Sequence, residues 1–176
     1  QDDVIDSISI PFFQHVESMR NKQTCSVKNS FIIAGNTGTG KSETLRRFAE
    51  LCNVPIIRIN ISECTAYGWK GQSISDFISY YINDESDIEQ LKYAVIVFNE
   101  FDKITHYNAR ITSTSGTDGD RDMQRDLLKF YDKGYELMID KSSGFSCGEK
   151  YRIPTENMLL CFDGAFSGIE KIIEKR

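Results

Sequence analysis

The stretch GNTGTGKSET, Gly35–Thr44, decides the fold of this 176-residue chain. Its first eight residues satisfy the pattern G-x-x-x-x-G-K-[ST], in which glycines let successive backbone N–H groups curl around phosphates. The apolar run Phe31–Ala34 before it is typical of a buried strand, and a helical pattern begins at about Lys41. One face of that helix carries Leu45, Phe48, Ala49 and Cys52. A strand, this loop and a helix in succession predict the phosphate-binding unit of an α/β protein.

The residue types in the loop indicate what each would do. We expect Lys41 to reach the β- and γ-phosphates of ATP and the Ser42 hydroxyl to ligate Mg²⁺. The N-terminus of the helix would add partial positive charge. ATP and Mg²⁺ are therefore the predicted cofactors. The predicted nucleotide contacts are Gly35, Asn36, Thr37, Gly38, Thr39, Gly40, Lys41, Ser42 and Glu43.

A second stretch, VFNEFD, Val97–Asp102, lies where P-loop ATPases carry their carboxylates. One carboxylate there holds Mg²⁺ through water, and a second orients the attacking water. Glu100 suits the second task, and Asn99 stands on the Mg²⁺ side. An amide offers an oxygen without charge, so we expect Asn99 to hold Mg²⁺, through water, more weakly than an aspartate would. We predict a structural task for Asp102, such as capping or pairing.

The rest of the chain alternates predicted strands and helices. PIIRINIS, YAVIVF and MLLCF are predicted strands, and YAVIVF is apolar throughout, as a central parallel strand requires. Lys141–Pro154 is predicted as an irregular loop or hairpin, and a short helix is expected near Ile169. The remaining helical patterns are Phe12, Val16 and Met19 after a first turn at Pro11; Ile74, Phe77, Ile78, Tyr81 and Ile82 after Ser73 as N-cap; and Met123, Leu127, Leu128 and Tyr131 before Gly134. This alternation predicts a parallel sheet flanked by helices.

Composition narrows the class of protein. A net charge of -5 argues against duplex nucleic acid as the main partner, and no apolar run approaches a membrane span. Five scattered cysteines, an odd number, predict reduced thiols rather than a disulfide framework or a zinc site. His15 and His106 are expected to pack or to face solvent. We therefore expect one cytoplasmic domain, and the lack of a starting methionine indicates a piece of a longer protein.

Several motifs in one order resemble the ClpX-type AAA+ protein unfoldases. AVIVFNEFDKI is similar to their Walker B segment, and YGWKG, Tyr67–Gly71, is similar to their pore loop. DMQRDLLKFYDKG is similar to the helix after Walker B, and MLLCFDGAFSGIEKII to the segment near their sensor region. The order and spacing agree from about Phe31 to the C-terminus, whereas the first thirty residues match loosely.

The resemblance implies an AAA+ large subdomain, with an N-terminal helix and loop over 1–30 and a P-loop core over 31–176. It implies that Lys41 and Ser42 bind ATP–Mg²⁺ and that Glu100 polarises water. Trp69, beside Lys70, would face the axial pore of a homo-hexamer and grip a substrate polypeptide, and 105–121 would be a second pore loop. A partner protease is a further implied partner; a membrane and nucleic acid are not.

The chain departs from the family at several positions. Asn99 replaces an aspartate, Lys70 an apolar residue, and Asp163 a glycine, which adds negative charge near the γ-phosphate. The family's zinc module is not found, and its arginine finger and small helical domain would lie beyond Arg176. Two alternatives therefore remain open: an ATP-binding scaffold or regulator with weak or no hydrolysis, and a nucleic-acid-linked AAA+ ATPase. A small-molecule kinase is disfavoured because such enzymes carry an Arg-rich lid, whereas the stretch 109–122 is rich in Ser, Thr and Gly and has few arginines.

Overall fold

The computed structural model describes residues 2–21, 29–64, 73–103, 126–141 and 149–167. The predictions for Trp69, Lys70, the second pore loop, His106 and the helix near Ile169 lie outside these residues. The elements are α1 (Asp2–Asn21), β1 (Ser30–Ala34), α2 (Lys41–Cys52), β2 (Ile56–Asn60), α3 (Ile74–Ser79), α4 (Glu85–Leu91), β3 (Val95–Asn99), β4 (Glu136–Lys141), β5 (Glu149–Pro154) and β6 (Leu159–Gly164).

Four strands form a parallel sheet in the order β1-β6-β3-β2. This confirms the predicted α/β fold with a parallel sheet and flanking helices. The last strand in the chain lies between the first and third, so the segments that follow β1, β3 and β6 meet at one edge. In open α/β sheets, the carboxyl edge of the strands is where ligands bind.

Both faces of the central strands are buried, and each face packs on a different set of elements. Ile96 and Phe98 of β3 face a cluster that includes α3 and the β4–β5 hairpin. Val95 and Val97 face a second cluster with α1 and α2. Burial on both faces explains why YAVIVF shows no polar alternation.

Two predicted helices begin as expected. α2 runs Lys41–Cys52 with Leu45 and Ala49 buried, and it ends at Asn53 in the left-handed conformation. α3 begins after Ser73, whose side chain accepts the Asp76 N–H while the Asp76 carboxylate accepts the Ser73 N–H. α3 ends at Ser79, so Tyr81 lies beyond the helix and is exposed.

The prediction for Pro11 was wrong, because α1 runs through it instead of starting there. A proline inside a helix removes a hydrogen bond and crowds the preceding turn. Ile8 and Phe12 on either side are nonetheless buried, and the Phe12 ring stacks on Phe48 of α2 at 5.3 Å between centroids. Burial of these flanking side chains favours continuation of the helix.

Histidine 15 on the same helix belongs to the core. Its ring is 3% exposed, and Nε2 lies 2.7 Å from the Tyr93 carbonyl, to which it donates. Of the two placements expected for His15, packing is the correct one.

The region after the long central segment was only partly predicted. β4 and β5 form an antiparallel hairpin, which bears out the hairpin alternative for 141–154, but the strand Glu136–Lys141 was missed. The predicted helical face there was also wrong, since Leu128 and Tyr131 are exposed while Leu127 and Phe130 are buried. The described part of this segment is helical only over 126–129, so a helical period cannot be extended to Tyr131.

Within the described ranges, no helix is both long and apolar enough to span a bilayer. Cys52, Cys64 and Cys161 carry free thiols, as predicted for reduced cysteines. Burial raises the pKa of Cys64 to about 12, which makes this thiol unreactive at neutral pH.

Candidate active site

A cleft of about 540 Å³ opens at the carboxyl edge of the sheet. It brings together the predicted residues Thr37–Glu43, Asn99 and Glu100, which come from two separate parts of the sequence. It also includes Asp163, whose charge the resemblance placed near the γ-phosphate, and residues that the sequence did not assign to the site: Asn60, Asp102, Lys103, Gly164 and Ala165. The sequence feature that could have identified them is their position, because they lie at or just after the ends of apolar strands.

The loop before α2 depends on the backbone freedom of glycine. Gly38 and Gly40 have φ angles of 84° and 86°, in the left-handed region. A Cβ on either would meet nothing within 4 Å, so the requirement is conformational and not steric. The N-cap of α2 is Gly40, which has no side chain to cap the helix, so the first N–H groups of α2 have no side-chain partner from the cap residue.

Lys41 lies folded beneath this loop. Its Nζ donates to the carbonyl oxygens of Gly35 at 2.6 Å and Asn36 at 3.0 Å. The same ammonium lies 3.6 Å from Asp163 Oδ1, with both side chains largely buried. The predicted phosphate-binding lysine is therefore held by two neutral oxygens and one carboxylate.

Ser42 is fixed at the first turn of α2 from two strands. Its Oγ donates to Asp163 Oδ2 at 3.3 Å, and its carbonyl accepts from Arg58 Nη2 at 2.7 Å. Arg58 belongs to β2 and Asp163 to β6. The hydroxyl predicted to ligate Mg²⁺ thus already contacts a carboxylate.

Two buried oxygens facing this region accept no hydrogen bond from the described residues: Asn99 Oδ1 and Asp163 Oδ1. An unsatisfied buried acceptor costs about 1–3 kcal/mol, so such atoms are expected to have a ligand partner. Mg²⁺ and its ordered waters would satisfy both, and the donor set therefore fits a magnesium-bound nucleotide. Among the described residues, no group of three or more His, Cys, Asp or Glu is placed to hold a metal ion.

Glu100 stands directly after β3 with a φ of 57°, which is unusual for a residue with a side chain. Its Oε2 lies 2.6 Å from Lys103 Nζ, and both side chains are about half exposed. The next residue, Phe101, donates its N–H to the Asp163 carbonyl at 2.9 Å. The strained backbone turns the Glu100 carboxylate to the rim of the cleft, and β6 holds the turn in place.

Asp102 organises the segment after β6. Its Oδ2 accepts the Phe166 N–H at 3.3 Å, and a Cβ on Gly164 would lie 2.6 Å from its Oδ1. Gly164 is therefore needed for this close approach. These contacts agree with the structural task predicted for Asp102.

Glu43 lines the cleft, but its carboxylate is engaged along the surface of α2. It contacts Arg46 at 2.7 Å and Arg47 at 2.8 Å. The hydrogen bonds from these arginines, chiefly Arg46, lower the pKa of Glu43 to about 2. A nucleotide contact by Glu43 remains a prediction, and it would have to come from the backbone.

Comparison with known proteins gives one family and a consistent set of relatives. A family profile for the ATPase family associated with various cellular activities (AAA) matches residues 31–142. The ATP-binding subunit ClpX of the ATP-dependent Clp protease from Bacteroides thetaiotaomicron is 27% identical over 183 aligned residues, covering 100% of this chain and 44% of the relative. The same-named proteins of Porphyromonas gingivalis (27%, 100% and 44%) and Azotobacter vinelandii (27%, 85% and 34%) are similar. The chain spans less than half the length of these curated relatives.

Proposed function

The chain belongs to the AAA family of ATPases, and from this we propose that it binds ATP–Mg²⁺ in the cleft and hydrolyses ATP as the large subdomain of a ClpX-like protein unfoldase. The observation that carries the proposal is the meeting of Lys41 and Ser42 with Asn99 and Glu100 in one cleft. Lysine, hydroxyl and carboxylate in this arrangement are the parts that P-loop enzymes use.

Nucleotide binding would use groups that now have weak or no partners. The N–H groups at the uncapped start of α2 would donate to phosphate oxygens, and Lys41 would exchange two neutral carbonyls for charged phosphates. Mg²⁺, when bound, would neutralise phosphate charge at this site. Ser42 and Asn99 are the predicted contacts to the metal or its waters.

Glu100 would accept a proton from the attacking water. Its ion pair with Lys103 lies at the surface, where such pairs contribute about 0–1 kcal/mol. The carboxylate can therefore turn from Lys103 towards a water at little cost. Lys103 would hold the Glu100 carboxylate near the rim until then.

The coupling of hydrolysis to protein remodelling is proposed from the relatives and the order of motifs. The relatives are named as ATP-binding subunits of a protease, so the proposed partners are substrate polypeptides, further copies in a homo-hexamer and a protease. Trp69 and Lys70 would form the pore loop that grips substrate. We place this activity in the cytoplasm.

A scaffold or regulator with weak hydrolysis is a second candidate. It is favoured by Asn99, because a neutral amide on the Mg²⁺ side supplies less charge to the transition state than a carboxylate. Such a protein would assemble in response to ATP and release little phosphate.

The two candidates are separated by Glu100→Gln in the full-length protein. If hydrolysis occurs, the variant should lose about 10²–10⁴-fold in turnover, because a general base is removed, while nucleotide affinity stays the same. Phosphate release and calorimetric titration with ATP measure the two effects. Glu136→Gln, an exposed carboxylate on the hairpin, is the matched control. If no assembly of the unmutated protein hydrolyses ATP, the ATPase proposal is wrong and the scaffold or regulator is the function that remains.

A further inference from the structure

The register of the sheet places Asn99 and Asp163 side by side. Phe98 of β3 pairs with Phe162 of β6, and each is followed at once by the residue in question. Neighbouring parallel strands lie about 4.8 Å apart, so the two positions are adjacent at the carboxyl edge. Paired positions of parallel strands also point to the same face.

That face is the one on which α2 packs. Asn99 and Asp163 alternate in phase with Val97 and Cys161, which belong to the buried cluster with α1 and α2. The bond from Ser42 Oγ to Asp163 Oδ2 agrees with this placement. Asn99 and Asp163 therefore lie on the side of the sheet that carries Ser42 in the first turn of α2.

Asp163 is also the one buried carboxylate among the residues that the structure describes, at 6% exposure. The other acidic residues of the cleft have different tasks, since Glu100 pairs with Lys103 at the rim and Asp102 accepts the Phe166 N–H. Asp163 Oδ1 has only the Lys41 ammonium at 3.6 Å, beyond hydrogen-bond distance. Lys41 balances the charge of this carboxylate, but Oδ1 still has no hydrogen-bond donor, and such a buried oxygen is expected to have a further ligand.

We propose that Asp163 supplies from β6 the negative charge towards Mg²⁺ that Asn99 lacks on β3, with Asn99 as its neutral neighbour. The inference rests on the proposed binding of ATP–Mg²⁺. The carboxylate on the Mg²⁺ side then lies on β6 instead of β3. The site thereby keeps one carboxylate towards the metal in addition to Glu100. The same carboxylate lies 3.6 Å from the Lys41 ammonium, so it faces both predicted partners of the phosphates.

A purely structural task for Asp163 makes a different prediction. If Asp163 only restrains Lys41, its neutralisation frees the lysine, and nucleotide affinity rises equally with and without Mg²⁺. If Asp163 faces Mg²⁺, neutralisation weakens binding only when the metal is present. Asn99→Asp alone should also give no gain under our proposal, because Asp163 already supplies the negative charge at the adjacent position on β6.

The test is calorimetric titration of the full chain with a slowly hydrolysed ATP analogue, in Mg²⁺ and in EDTA. We expect Asp163→Asn to bind about 10–100-fold more weakly in Mg²⁺ and no more weakly in EDTA. The exchange variant Asn99→Asp/Asp163→Asn should recover the Mg²⁺ dependence. Asp140→Asn, on the hairpin, is the matched control, and Mn²⁺ electron paramagnetic resonance reports the metal directly. Thermal unfolding establishes that each variant is folded.

The outcomes are distinct. Wild-type Mg²⁺ dependence in Asp163→Asn, or an exchange variant that stays insensitive to Mg²⁺, would overturn the inference and leave the ATPase proposal intact. Failure of the unmutated protein to bind nucleotide in either buffer would overturn both. If Asp163→Asn does not fold, the comparison of Asn99→Asp with the exchange variant decides, because a gain of Mg²⁺ dependence by Asn99→Asp alone contradicts the proposal.

Discussion

The first backbone N–H groups of a helix have no partner within the helix, and α2 and α3 treat these groups in opposite ways. At α3, Ser73 and Asp76 satisfy each other's backbone N–H groups, so the sequence closes the helix start by itself. At α2, Gly40 supplies no side chain, and the first N–H groups face the cleft. The comparison teaches that an open helix start is where this fold keeps its binding capacity, whereas closed starts supply stability.

The largest expected effect comes from forcing a side chain onto the open start. Gly40→Ala should lower the free energy of unfolding by about 1–2 kcal/mol, because its φ of 86° is unfavourable for alanine. It should also weaken ATP binding by about tenfold or more through displaced N–H donors. Urea unfolding and calorimetry measure the two effects.

Gly134 is the matched control for this substitution. Its φ is 72°, and a Cβ there also meets nothing within 4 Å, but it lies in the turn before β4. Gly134→Ala should therefore lose similar stability and keep full ATP affinity. Equal affinity losses in both variants would show that global destabilisation, not the open helix start, limits binding.

A smaller effect is expected at the closed start. Ser73→Ala should lower the free energy of unfolding by about 1 kcal/mol, because the Asp76 N–H loses its acceptor. ATP affinity should stay unchanged. Ser75 is the second residue of α3, and Ser75→Ala is the control, which should not lower the free energy of unfolding. A loss of ATP affinity in Ser73→Ala would contradict the assignment of nucleotide binding to the start of α2 alone.

The smallest effect at neutral pH is expected at His15, a buried residue of α1 that donates to the Tyr93 carbonyl. Burial lowers the pKa of His15 from 6.5, so the unfolded chain takes up its proton at a higher pH than the folded protein. Stability should therefore fall as pH drops below about 6.5, and this loss should be absent at pH 7.5. Urea midpoints of the unmutated protein and His15→Gln across this range measure it. A wild-type slope in the variant would assign the acid sensitivity to other groups.

Local signals predicted the parts of this fold that depend on neighbouring residues. Three features are determined by residues that lie within about ten positions of one another: the P-loop, the Ser73 cap and the buried strand before Asn99. Pro11 was predicted in a first turn from the local preference of proline for helix starts. The burial of Ile8 and Phe12 against elements distant in sequence outweighs that preference. Phe130 was missed because the chain turns soon after 126–129 and the helical period does not continue.

The site divides in the same way. Lys41, Ser42 and the positions of Asn99 and Glu100 follow from motifs, and the cleft confirms that they lie together. The contact of Asp163 with Ser42 joins residues 121 positions apart, and Arg58 reaches the Ser42 carbonyl from another strand. Only the strand order brings these side chains to the loop, and no local pattern encodes that order.

The insertion of β6 between β1 and β3 also has a consequence for biosynthesis. β1 and β3 each bond to β6 and not to each other. A nascent chain that has not yet released residues 159–164 from the ribosome therefore has the phosphate loop and the segment after β3 on strands that no backbone hydrogen bonds join. Pairing of the last strand spans more than a hundred residues, and such closures are slow. We expect the growing polypeptide to gain ATP affinity abruptly once this strand emerges, which makes the nucleotide a late reporter of completed translation of the sheet.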